Sequence, residues 1–128
     1  MIDIIGKEQL EEFIWENVSN KKITVIYFGA EWCEPCNMFK NKIKNNETVT
    51  AMPNLVVAHV DVDEDKNGEL CELFNVKALP TQIFVTLNGP KIVELKKVNG
   101  FNWGLFENAY KDVNKNFEEV NIDSNKVE

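Results

Sequence analysis

The run Ile23-Thr24-Val25-Ile26-Tyr27-Phe28 is rich in β-branched and aromatic residues and reads as a buried strand. Weaker patterns flank it. Ile2-Asp3-Ile4-Ile5 is a short strand candidate, and from about Lys7 to Ser19 the residues Leu10, Phe13, Ile14, Asn17 and Val18 fall on one face of a helix. Gly6 would cap that helix, and Ile5 and Leu10 have the spacing of a hydrophobic staple. Trp15 lies off the stripe as a boundary residue. A second helix is predicted from about Cys33 to Asn46, with Phe39 and Ile43 four apart and Lys40, Lys42 and Lys44 on a solvated face. Residues 47–54, with Pro53, read as a loop, and 55–62 as a strand covered on both faces. A short helix over 66–74 turns Leu70, Leu73 and Phe74 to the core, with Cys71 beside them as a small buried hydrophobe. Residues 81–87 alternate as a strand, Asn88-Gly89-Pro90 turns the chain, and 91–98 returns antiparallel with Ile92 and Val93 inside. Lysines on this closing hairpin suit a sheet edge. Asn102 caps a last helix whose stripe is Leu105, Phe106, Ala109, Tyr110, Val113 and Phe117, with Phe101 and Phe106 as a second staple. Residues 118–128 are acidic and patternless, so a domain over 1–117 and a frayed or disordered tail over 118–128 are expected. Strand–helix alternation closed by a hairpin implies an α/β fold with parallel pairing, right-handed crossovers and antiparallel strands at the end.

The chemistry-bearing stretch sits where the buried strand hands over to the second helix: Ala30-Glu31-Trp32-Cys33-Glu34-Pro35-Cys36. Cys33 falls at or just before the first helical turn. Backbone N–H groups are unpaired there, and the helix dipole places roughly half a positive charge. A thiolate at that position is stabilised, which lowers a cysteine pKa below its free value of about 8.5. Cys36, one turn on, is within disulfide reach of Cys33. Pro35 suits a first turn, where its missing N–H is no loss.

Composition narrows the options. The 128 residues suit one domain, and 44% hydrophobic residues supply one core. The net charge is −7, and all 14 basic residues are lysine. An acidic chain without the arginine fork does not fit a nucleic-acid surface. No apolar run approaches the ~20 residues that span a bilayer, so no membrane contact is expected. The N-terminus lacks the charged and apolar regions of a signal peptide. Three cysteines are too few for a secreted disulfide scaffold, and a C-x-x-C without an export signal points to the cytoplasm and to redox or metal chemistry. A tetrahedral metal site wants four ligands. Only Cys71 and His59 could join the pair, so no metal and no cofactor beyond the dithiol itself are expected. The acidic cluster at Asp61, Asp63, Glu64 and Asp65 fails as a calcium loop, because Lys66 stands where the glycine belongs.

Trp32-Cys33-Glu34-Pro35-Cys36 resembles the Trp-Cys-Gly-Pro-Cys site of the thioredoxin family. Phe28-Gly29-Ala30-Glu31, His59-Val60-Asp61-Val62-Asp63, Val76-Lys77-Ala78-Leu79-Pro80-Thr81, Asn88-Gly89 and Gly100 continue the resemblance in order over about residues 2–117. It implies the thioredoxin fold, a mixed five-stranded sheet of order 1-3-2-4-5 flanked by four helices. It also implies a protein-disulfide reductase: Cys33 is the exposed nucleophile, Cys36 the resolving cysteine, and Pro80 a cis proline against the cysteines. Ala78 and Leu79 would offer backbone groups to an extended substrate, with Trp32 as an apolar wall. The implied partners are disulfide-containing proteins and a recycling thioredoxin reductase or small-thiol system, with the chain acting as a monomer.

Three positions depart from the family pattern. Glu34 replaces a glycine and sets a carboxylate beside Cys33. Tyr27 replaces the family's buried aspartate, and tyrosine, with a reference pKa of about 10, takes up no proton near neutrality. His59 replaces the lysine that partners this aspartate; histidine changes charge near neutral pH, so Tyr27 and His59 form a candidate proton relay to Cys36. A half-buried strand histidine bonded to a neighbour is the plainer reading of His59. Two other functions share the fold: a protein-binding module with an idle or regulatory dithiol, and a disulfide isomerase or oxidant. The intact cysteine pair speaks against the first, and the lack of an export signal against the second.

Overall fold

The computed structural model describes residues 1–126, with side chains described through residue 116. Five strands form one sheet: β1 (Ile2–Ile4), β2 (Ile23–Gly29), β3 (Leu55–Asp61), β4 (Thr81–Asn88) and β5 (Lys91–Asn99). Their order is β1-β3-β2-β4-β5, as the resemblance implies. β1 and β2 both pair parallel with β3, while β4 runs antiparallel to β2 and β5 to β4. Central β2 is buried at all seven positions. Its odd residues Ile23, Val25 and Tyr27 join one core cluster, and its even residues Ile26 and Phe28 the other. Side chains alternate across a strand, so a sheet covered on both faces needs an unbroken apolar run.

Helices supply the two covers. α1 (Lys7–Ser19) and α4 (Gly68–Leu73) pack Leu10, Ile14 and Leu70 on one face. α2 (Glu34–Lys44) and α5 (Trp103–Lys126) pack Phe39, Ile43, Phe106, Ala109 and Tyr110 on the other. A further helix, α3 (Asn46–Ala51), lies where a loop was expected and brings the α-helices among the described residues to five. Asn45 ends α2 and starts α3, its Oδ1 accepting from Glu47 N at 2.8 Å. Six residues are too few to show a helical period, so only this cap signalled the element. The predicted helix over 66–74 is a 3-10 turn (Asp65–Asn67) followed by α4.

Local expectations divide. Gly6 caps α1 at φ 89°, and Asn102 caps α5 through Oδ1 to Leu105 N at 3.1 Å. Phe101 packs on the cluster that holds Phe106, as a staple requires. The Ile5–Leu10 staple is not formed: Ile5 is exposed because β1 is an edge strand whose end faces solvent. Leu73 and Leu105 are also exposed, at the margins of stripes whose centres carry the packing. α5 runs on to Lys126, past residue 117, where the pattern fades and a disordered tail was expected; extending an existing helix costs far less than starting one. Residues 127–128 of that tail lie outside the described residues.

Asn67 joins three separate segments of the chain. It is wholly buried, its Oδ1 accepts from Gly6 N at 2.7 Å, and its Nδ2 donates to Ile4 O and Asp61 O at 3.1 and 3.0 Å. It thus ties the end of β1 and the start of α1 to the end of β3, from which the acidic loop leaves.

Candidate active site

Cys33 is the N-cap of α2, with Glu34 and Pro35 opening the helix. Its sulfur accepts a hydrogen bond from Cys36 N at 3.3 Å, the contact a side-chain acceptor makes at a helix start. Cys33 and Cys36 form a disulfide, with Cα atoms 5.2 Å apart. Burial separates the two: Cys33 lines a surface groove, while Cys36 has no exposed surface. Cys33 is less open than a helix tip suggests, at 5% exposed, because the disulfide draws its sulfur inward over α2.

The groove has a volume of about 630 Å³, and Trp32, Glu34, Pro35, Val62, Ala78 and Leu79 are among its walls. Trp32 is 71% exposed, yet its indole is fixed, because Nε1 donates to Asp63 Oδ2 at 2.7 Å. Asp63 N in turn donates to Asp61 Oδ1 at 2.9 Å. The acidic loop therefore holds the tryptophan wall, a role the sequence did not disclose. Residues 76–79 also line the groove and lead into Pro80. The Leu79–Pro80 bond is cis, and Pro80 is buried with its carbonyl accepting from Gly100 N at 2.6 Å. The Ala78 carbonyl accepts from Thr81 Oγ1 at 2.7 Å, so it is already partly satisfied within the chain. Cys71 is free and half-buried: it packs against the core cluster that holds Leu70, as its helical position implies, and it also lines the groove; burial pushes its thiol pKa up.

Beneath the disulfide, Tyr27 is wholly buried. Its hydroxyl donates to the Cys36 carbonyl at 3.1 Å, so the partner of the phenol is the backbone of α2 and not His59. The ring leans over Gly29, where a Cβ would come within 2.6 Å of Tyr27 Cζ. Burial, reinforced by the charge of Asp61, pushes the phenol pKa up to about 12. His59 stacks on Tyr27 with ring centres 4.8 Å apart, and its Nδ1 lies 2.9 Å from Asp3 Oδ1. That hydrogen bond lowers the Asp3 carboxyl pKa. His59 is thus the half-buried, neighbour-bonded strand histidine of the plainer reading, turned to β1. One further polar residue is buried here. Gln82 stands directly across from Tyr27 on β4 and has no exposed surface. A glutamine among Ile83, Phe84 and Val85 was the visible signal that sequence reasoning passed over.

Among the described residues, no three His, Cys, Asp or Glu side chains gather to hold a metal ion, and no helix is long and apolar enough to cross a membrane.

The thioredoxin family model matches residues 5–104. Thioredoxin 3 of Plasmodium falciparum is 35% identical over 98 residues, which cover 76% of this chain and 51% of that protein. Thioredoxin-1 of Caenorhabditis elegans is 38% identical over 76 residues, covering 59% of this chain and 62% of its own. The chain thus spans between half and two thirds of these relatives' lengths. The structure of Fasciola hepatica thioredoxin superposes with a TM-score of 0.71 at 28% identity, over 88% of this chain and 98% of that one. Plasmodium falciparum thioredoxin gives 0.68 at 28% identity, over 86% and 84%. Sequence match, sheet order and a helix-capping disulfide agree: the chain belongs to the thioredoxin family.

Proposed function

We propose that the chain is a thiol–disulfide oxidoreductase that reduces protein disulfides. The observation that carries this reading is the Cys33–Cys36 disulfide at the start of α2, with one cysteine at the groove and the other beneath it. In the reduced form, Cys33 attacks as a thiolate, stabilised by the free N–H groups and dipole of the helix start. The substrate S–S bond breaks, a Cys33–substrate mixed disulfide forms, and the first substrate sulfur leaves as a thiolate and takes a proton. Cys36 loses its proton and attacks the Cys33 sulfur. The second substrate sulfur leaves, and the Cys33–Cys36 bond closes. Two electrons pass from the cysteine pair to the substrate, and the oxidised pair is the state described above. A recycling reductase or a small-thiol system returns the two electrons.

The groove suits an extended peptide, with Trp32, Ala78 and Leu79 among its walls. Tyr27 moves no proton in this scheme, since its raised pKa keeps the phenol protonated at neutral pH. The wider assignment comprises protein substrates, a recycling reductase, a role in cell redox homeostasis and electron transport, a monomeric state, a cytoplasmic setting and no cofactor beyond the dithiol.

The test is a pair of substitutions. Cys33→Ser should abolish insulin reduction, because a serine hydroxyl is no useful nucleophile at neutral pH. Cys36→Ser should leave attack intact and remove the exit route, so mixed disulfides accumulate on non-reducing gels. Equal trapping by both variants, or by neither, refutes the exchange mechanism. An idle binding module would capture partners regardless of either change.

A further inference from the structure

We propose that the amide oxygen of Gln82 accepts the hydrogen bond of the Cys36 thiol formed when the disulfide is reduced, so that Gln82 favours the reduced pair. The proposal rests on the exchange reading above. Gln82 has no exposed surface, and its Nε2 donates to Gly100 O at 3.3 Å. A carbonyl only accepts, so this bond fixes which end of the amide is nitrogen. The other end, Oε1, is buried without a partner. Such an acceptor carries a desolvation cost that native proteins seldom leave standing.

The register places this acceptor. Gln82 is paired with Tyr27 on one side and Val98 on the other. Directly opposed residues share a sheet face. Tyr27 and Val98 belong to the core cluster that also holds Cys33 and Cys36, so Gln82 points to the same layer. Two donors on that layer are engaged: the Tyr27 hydroxyl on Cys36 O, and Gln82 Nε2 on Gly100 O. In the disulfide state Cys36 has no proton to give. Reduction breaks the S–S bond, takes two electrons from the thiol donor, and leaves Cys33 as a thiolate and Cys36 as a buried thiol holding the proton taken up. A new donor then arises on the layer that holds the orphaned acceptor. Gln82 is a positioning residue: its unmet acceptor weighs on the oxidised state and is relieved in the reduced one. The site thereby gains a polar partner for Cys36 that carries no charge.

The experiment is a redox titration of the full chain against glutathione, with the reduced fraction read by alkylation. Gln82→Met keeps the side chain's length and removes the amide. It should lower the equilibrium constant for reducing the pair about fivefold, the order of one hydrogen bond, making the protein about 20 mV more reducing. Gln82→Leu serves as a second variant should the first not fold, with the same expected direction. Urea unfolding separates this from a purely structural role: Gln82→Met should raise the stability of the oxidised protein relative to the reduced one, whereas a structural role moves both alike. An unchanged equilibrium constant, or an equal stability change in both states, overturns the proposal. So does a shift produced by Tyr27→Phe and not by the Gln82 variants, which would make the phenol oxygen the acceptor. A parent pair that never exchanges with glutathione refutes the exchange reading itself.

Discussion

Replacing Tyr27 with phenylalanine removes one oxygen from beneath the disulfide and keeps the ring that stacks on His59 and tilts against Phe39. The lost interaction is the 3.1 Å hydrogen bond to Cys36 O. A neutral hydrogen bond contributes about 1 kcal/mol net, and the Cys36 carbonyl, in the first turn of α2, keeps its helical partner. For a chain of 128 residues this is a fall in Tm of roughly 4 °C. The pH dependence is sharper. The phenol has a folded pKa of about 12 because of burial first and Asp61 second, against about 10 when unfolded. Between those values the folded state holds a proton that the unfolded state releases, so stability is full below pH 10 and falls as pH rises toward 12. At about 1.4 kcal/mol per pH unit, this loss totals roughly 2–3 kcal/mol. The phenylalanine variant lacks it. It should be less stable than the parent at pH 7 and more stable near pH 12, with the two stability curves crossing in between. Urea unfolding at a series of pH values measures this, and the lysines cancel in the difference. Insulin reduction at pH 7 should stay within about twofold, since a group protonated at that pH takes no proton in catalysis. Curves that never cross, or a tenfold loss of activity at pH 7 in a folded variant, would refute the reasoning.

Asn67→Ala deletes three hydrogen bonds and leaves Gly6 N without its acceptor; at about 1 kcal/mol each, a loss near 3 kcal/mol is expected by urea unfolding, and a change under 1 kcal/mol would contradict the bridging role. Glu34→Gly removes a carboxylate from the groove beside Cys33. An exposed charge pair is worth at most about 1 kcal/mol, so the thiolate gains little and the potential should rise by up to about 20 mV; a variant more reducing than the parent contradicts this.

The sequence by itself determined the elements that rest on local rules. The unbroken apolar run at 23–28 required a strand covered on both faces, and β2 is buried throughout. Gly6 and Asn102 announced helix starts, and the spacing of Cys33 and Cys36 placed a cysteine pair one turn apart at a helix tip. These signals lie within a few residues of each other, where backbone sterics and hydrogen-bond geometry act directly. Sheet order came only with the family resemblance, since alternating strands and helices fit several orders. Tertiary structure alone decided the partners. Tyr27 reaches the Cys36 carbonyl and not His59, because α2 crosses directly above it while His59 is drawn to Asp3 on the edge strand. Trp32 is held by Asp63, 31 residues away, because β3 ends beside β2. Cys71 opens on the groove, and Gln82 lies under the site with one acceptor unmet. A sequence gives each residue's chemistry and its period. Which two distant residues meet depends on strand register and helix packing, and those are set by the balance of the whole core.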